Sequence, residues 1–283
     1  MHSKQGLTKL AEPLLELVTE CFSKQFKQRV ISIFKFGSLG DRGDFSLCSD
    51  VDIALMLDQI QESDYKSIQT ISDEIKATNL EYADRLSVFW SSYNKDIFDQ
   101  GVGRFPPLDR LDFIRHAVLI SGVDRRAELH LPPHKAMVLA SGEFISSFML
   151  SGDKFDKLVH YPEQILAEKA RYFTKFVLFP VRLIFTLDCP GIIGTNKDAV
   201  EHFNQTSIAQ ISEVKEVVNI AYKLRNSKAD SAVLMEPEQL RLALLPLYAY
   251  CIKQYQEAAL EYGDSKLAAQ LAFEEKRLYS VVG

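Results

Sequence analysis

The segment from Val30 to Leu57 limits what this chain can fold into more than any other. A β-branched and aromatic run, Val30 to Phe36, stops at Gly37-Ser38. Residues 39–49 carry Gly, Asp and Ser and show no helical periodicity, and a second apolar run to Leu57 then opens with Asp50 and Asp52 at its head. This reads as strand, turn, polar loop and strand. Side chains alternate faces along a strand, so Asp50 and Asp52 present two carboxylates on one face. Two adjacent hard-oxygen ligands suit Mg²⁺, which is usually held by one or two carboxylates plus substrate phosphates. A glycine at residue 37 lets the backbone approach a ligand closely, and the Ser38 hydroxyl and nearby amides can donate to phosphate oxygens. An isolated Asp-x-Asp at a turn is ordinarily a solvated pair; the whole ordered combination is what carries chemical meaning.

The rest of the front half reads as helix over Leu7–Phe26 (with Pro13 in its true first turn), helix over Ser63–Ala77, and a third strand over Leu86–Trp90. An irregular stretch over Asp96–Pro107 follows, then a helix over Leu108–Ile120 that ends at Gly122. Pro132-Pro133 begins a different regime, with helices expected over 136–150, 161–187, 197–202, 208–225, 236–262 and 265–278. Pro180, inside the second of these, is expected to kink or break it. The expectation is an α+β unit over 1–126 and an all-α unit over 127–283. With 13 Gly and 10 Pro in 283 residues the chain is poor in breakers, against a usual share of about 12%, which favours long helices.

Composition removes several classes. A formal net charge of -5 disfavours a dedicated nucleic-acid binder. Hydrophobic and charged shares of 47% and 25% are those of a globular chain rather than a disordered one. No run approaches the ~20 apolar residues of a membrane span, and the N-terminal stretch lacks the apolar core of a secretory signal. The 4 cysteines are scattered without a C-x-x-C pair, so neither a zinc site nor a disulfide framework is expected and a cytoplasmic setting is the default.

The strand, Gly37-Ser38, loop, Ser49-Asp50-Val51-Asp52 order resembles the signature of the DNA polymerase β-like nucleotidyltransferase superfamily. The loop here is slightly longer than that superfamily's commonest spacing. The resemblance implies a polymerase β-like catalytic domain in which Gly37 and Ser38 contact the nucleotide triphosphate and Asp50 and Asp52 ligate Mg²⁺. Ser49 matches a serine that contacts phosphate in some members, and Arg42 offers a loop cation for phosphate charge. The superfamily carries a third carboxylate on a neighbouring strand. Asp84, just ahead of Leu86–Trp90, is the candidate, as a metal ligand or as the general base toward the acceptor hydroxyl.

The helical half is similar to the C-terminal domain of streptomycin/spectinomycin-type aminoglycoside adenylyltransferases: Phe179-Pro-Val-Arg-Leu-Ile-Phe-Thr-Leu-Asp, a Gly loop, then Thr195-Asn-Lys-Asp-Ala. This implies that Arg182 and Lys197 contact the ATP phosphates, and Tyr222 falls where that family has a nucleotide-contacting tyrosine. Independently, Arg182 interrupts an apolar run, where a cation needs an anionic partner, and Lys197 stands near a helix start, itself an anion site. In that family Asp84 falls where an active-site glutamate is found. Nothing in Ser151–Lys157 matches the residues that hold the drug there.

The expected activity is transfer of AMP from ATP to an acceptor hydroxyl with release of pyrophosphate, Mg²⁺ being the cofactor and the acceptor a small hydroxylated molecule of aminoglycoside type. A protein acceptor and a non-catalytic nucleotide-binding module are the alternatives. Arg125 and His130 form an Arg-x4-His pattern of the kind found in some helical ribonucleases, and His116 and His202 read as ordinary helix residues.

Overall fold

The computed structural model describes residues 4–167, 170–227 and 235–280. The chain divides into two units, Met1–Pro132 and Pro133–Gly283. The division falls later than residue 126 because the chain stays tied to the front unit. Arg126 Nη1 donates to the Phe113 carbonyl at 3.1 Å, and its guanidinium lies over the Phe34 ring.

The front unit runs α1 (Lys4–Leu10), α2 (Glu12–Phe26), β1 (Val30–Phe36), β2 (Val51–Leu57), α3 (Asp64–Lys76), β3 (Leu86–Ser92), α4 (Lys95–Asp99), α5 (Pro107–His116) and β4 (Val118–Gly122). The strands form one sheet in the order β3-β2-β1-β4; β1 runs antiparallel to β2 and β4, and β2 parallel to β3. The parallel pair needs a crossover, which α3 supplies. Strand alternation sorts the side chains onto two faces. Ile33, Ile53, Leu55 and Val88 pack with Leu14, Val18 and Phe22 of α2 and Ile68 and Ile71 of α3. Phe34, Phe36, Ala54, Met56 and Phe89 pack with Phe98, Phe105 and Phe113 on the other face.

Several expectations for this unit are corrected. The first helix is broken at Ala11, with Pro13 in the first turn of α2. Asp96–Pro107 contains the short helix α4, whose N-cap Asn94 accepts from the Ile97 amide at 3.2 Å. The helix expected to reach Ile120 stops at His116. Val118–Gly122 instead pairs with β1, since an open strand edge takes up extended chain better than another helical turn. Gly122 adopts φ +91°, and a Cβ there would collide with the Ile31 carbonyl.

The helical unit runs α6 (His134–Phe144), α7 (Asp153–Val159), α8 (Pro162–Ala167), α9 (Ala170–Asp188), α10 (Asn196–Phe203), α11 (Ser212–Arg225), α12 (Pro237–Glu261) and α13 (Ser265–Tyr279) around one continuous core. Part of the helix expected over 161–187, residues 168–169, lies outside the described residues. α6 does not continue to Leu150 but gives way to a π-helical turn over Ile145–Met149, and α7 was not anticipated. Pro180 does not break α9. It withholds the N–H that would bond the Phe176 carbonyl, and the Tyr248 hydroxyl of α12 donates to that carbonyl at 2.9 Å instead. Tyr255, two turns further along α12, donates likewise to the Leu183 carbonyl at 2.8 Å. No helix among the described residues is long and apolar enough to cross a membrane.

Candidate active site

Strand β1 ends in a tight turn over Gly37–Leu39, closed by the Gly40 amide on the Gly37 carbonyl at 3.2 Å. Phe36 is the register partner of Asp52, so the turn begins beside that carboxylate. Gly37 has φ +63°, and a Cβ there would collide with Asp52 Oδ2; both the backbone and the space require glycine. Asp50 immediately precedes β2 and stands two residues ahead of Asp52, which extended chain turns to the same side. Asp52 shares a face with Ala54, Met56, Phe36 and Phe89, so it opens at the rim of the aromatic face. Asp50, Asp52 and Ser38 are each half-buried.

The loop between the two strands is fastened at both ends. On one side the Asp41 amide donates to the His116 carbonyl at 3.0 Å, and His116 Nδ1 lies 2.9 Å from Asp41 Oδ1. Arg42 Nη2 meets Asp112 Oδ2 of α5 at 2.9 Å, with side chains only 7% and 10% exposed. On the other side Arg85 donates to the Leu47 carbonyl, and the Phe45 ring meets that of Tyr82 at a 60° tilt with ring centres 5.2 Å apart. Within the loop the Ser46 amide donates to Ser49 Oγ at 3.0 Å. Arg42, expected as a loop cation for phosphate charge, thus tethers the loop to α5, and the buried Ser49 hydroxyl closes a turn within it.

Asp84, the expected third carboxylate, lies just ahead of β3. Asp84 lies in a short turn over Ala83–Arg85, its side chain 70% exposed and its Oδ1 3.7 Å from Arg85 Nε. Among the described residues no three His, Cys, Asp or Glu side chains are grouped so as to share a metal. The register partner of Asp52 on β3 is Ser87. Ser87 Oγ accepts from Arg104 Nη2 at 3.2 Å; Arg104 Nη1 donates to the Val88 carbonyl at 3.1 Å, and the guanidinium lies 4.8 Å from the Phe89 ring centre. The place beside Asp52 thus carries a hydroxyl backed by a fixed cation. Ser87 was findable by aligning the heads of two apolar strands. Arg104 was not, because its place depends on a single bridge, Trp90 with Arg104, across the chain from β3.

In the helical unit, Arg182, Lys197 and Tyr222 fall on α9, α10 and α11, which pack on one another. Arg182 is half-buried. Lys197 is in the first turn of α10, 66% exposed and 3.6 Å from Glu201. That helix start is fixed by a capping box between Thr195 and Asp198. His202 Nε2, 2.7 Å from Asp188 Oδ2, ties α10 to the end of α9. Tyr222 packs partly buried against the helical core. Arg125 and His130 are not partners: Arg125 pairs with Glu128 at 2.7 Å, and His130 Nδ1 lies 2.9 Å from Asp99.

No family model and no curated protein sequence matches the chain. The fold is similar to that in the crystal structure of spectinomycin adenyltransferase from Enterococcus faecialis with ATP and spectinomycin, 16% identical, with a TM-score of 0.58 over 86% of this chain and 98% of that one. The chain is thus similar in fold to a nucleotidyltransferase, an α+β unit with a small mixed sheet followed by a helical unit.

Proposed function

We propose that the chain moves AMP from ATP to a hydroxyl of a small acceptor and releases pyrophosphate. The observation that carries this reading is the fit of Gly37 against Asp52, a side-chain-free turn beside a carboxylate pair at the head of a strand. The fold likeness to an enzyme crystallised with ATP and spectinomycin supports it. The donor chemistry suits Mg²⁺: two hard oxygen ligands, Asp50 and Asp52, half-buried at the rim of an apolar face. When bound there, the ion would neutralise phosphate charge. Ser38 donates to the phosphate oxygens from the turn. Arg104, held by Ser87 and Val88, supplies a preorganised cation whose orientation needs no rearrangement during reaction. Arg182, Lys197 and Tyr222 are proposed as further nucleotide contacts; the exposed pair of Lys197 with Glu201 is weak enough to be given up for a phosphate. The acceptor oxygen attacks the α-phosphorus, the bond to the β,γ-pyrophosphate breaks, and the hydroxyl proton leaves to solvent or to Asp84.

The test is pyrophosphate release with Mg²⁺, each of four NTPs and a panel of aminoglycosides and aminocyclitols. Asp50→Asn or Asp52→Asn is expected to lower the rate by at least about 10²-fold, with an unchanged melting profile. Asp84→Asn, outside the pair, is expected to cost less than about tenfold. Release that survives loss of both Asp50 and Asp52 would overturn the reading.

A further inference from the structure

We propose that the front unit docks a lysine- or arginine-rich segment of another protein in the groove between α2 and β4. The segment lies extended, adds to the open edge of β4 as a further strand, and sets its basic side chains against Glu12, Glu16 and Glu20. The groove has a volume of about 570 Å³ and is lined by these three glutamates, by Lys35 of β1 and by Leu119 and Ile120 of β4, among others.

The edge decides that the occupant is a peptide. Strand β4 lies outermost in the sheet, and among the described residues no strand pairs with its outer side. An unpaired edge is a row of backbone donors and acceptors that another extended chain can satisfy. Its five residues, Val-Leu-Ile-Ser-Gly, include neither the lysine nor the proline that commonly blunts an edge. Its one protective device is a bulge at Ile120, where Ile33 pairs with Ser121 and Phe34 with Leu119. Leu119 is 38% exposed on this edge, an apolar surface for a partner to cover.

Charge decides which peptide. Among the described residues lining the groove, three carboxylates face one ammonium, an excess of two negative charges. All three glutamates are exposed on α2, and none is held in an ion pair among the described residues. Such a surface is complemented by a cationic partner. The spacing suits an extended one. Glutamates four residues apart on a helix advance about 6 Å, and alternate side chains of a strand about 6.6 Å, so basic residues at every second position meet the row in step. A second copy of the chain is a poor occupant, because pairing β4 with β4 about a two-fold would set two rows of glutamate on one face of the joined sheet. The inference stands apart from the nucleotidyl-transfer reading, because it needs neither nucleotide nor Asp50 and Asp52.

The test titrates the full chain, without nucleotide, against a fluorescein-labelled peptide of alternating lysine and threonine and reads anisotropy. Saturable binding below about 1 mM is expected, weakened by added salt. The same peptide N-methylated at every backbone amide keeps its charge but cannot donate to an edge, and is expected to bind at least about tenfold more weakly. Glu16→Gln combined with Glu20→Gln is expected to weaken the parent peptide about fivefold or more. Leu119→Lys, which sets a cation on the edge itself, is expected to weaken it about tenfold and serves if the first variant melts early. Equal binding of the parent and N-methylated peptides, or complete displacement of the parent by an equal concentration of spermine, would make the groove a general cation site and overturn the proposal. Binding indifferent to both variants, no saturable binding below about 1 mM, or self-association through β4 that excludes the peptide would overturn it as well.

Discussion

The two units meet one difficulty, a polar group withdrawn from water, in different ways. In the front unit long-range ion pairs do it: Arg42 with Asp112 and Arg29 with Asp64. In the helical unit neutral tyrosine hydroxyls do it, Tyr248 and Tyr255 of α12 reaching carbonyls of α9. The difference follows from what each must hold. The front unit must fix an irregular loop, whose backbone has no ladder of its own, against a carboxylate pair. The helical unit joins two regular helices, and Pro180 leaves α9 one carbonyl, that of Phe176, for the Tyr248 hydroxyl to meet. An ion pair positions a loop but is costly to break; a hydroxyl mends a helix at little electrostatic risk.

Three measurements sharpen that contrast, and the single tryptophan, Trp90, lets the front unit be watched alone by fluorescence. The largest effect is expected from Arg42→Ala. It removes the buried cation beside Asp112 and should cost the front unit about 3–5 kcal/mol, seen as an early Trp90 transition. A loss below 1 kcal/mol would mean that the pair is solvated and the tether unimportant. Next, Tyr248→Phe leaves the Phe176 carbonyl without its donor and should cost about 1–3 kcal/mol, read by helical circular dichroism. Pro180→Ala restores an N–H to that carbonyl, so in its background Tyr248→Phe should cost less than half as much. Additive losses would break the argument that the hydroxyl answers the proline.

The smallest effect concerns pH. Hydrogen bonds from Arg126 hold the Asp124 carboxyl below its usual range. A depressed carboxylate contributes stability that is present above its unfolded pKa, near about 4, and is lost as pH falls through the folded value. The side chain is 37% exposed, so solvent screens the pair and about 1 kcal/mol or less is expected. Asp124→Asn should therefore lower the Trp90 midpoint at pH 7 and leave it unchanged near pH 3. A difference that grows on acidification would reverse the assignment.

Much of the front site was legible because its parts are close in sequence. Gly37, Ser38, Asp50 and Asp52 are fixed by the ends of two strands, and strand period decides which way they point. The helical elements were legible too, through apolar spacing, although the faces presented by Arg182, Lys197 and Tyr222 were not. Strand β4 was misread as helix because Val118 and Ile120 fit both periods over so short a stretch. Asp84 was chosen by residue type and by its place just ahead of the third strand, whereas the register of β2 against β3 places Ser87 beside Asp52.

The sequence by itself determined the strand–turn–loop–strand order, the carboxylate pair and the change to helices beyond Pro132-Pro133, all consequences of local period and covalent spacing. Only the tertiary structure decided that Arg42 is a tether, that Arg104 stands behind Ser87, and that α6 gives way to a π-helical turn. Each of these depends on which distant residue arrives opposite, and no local propensity encodes that meeting.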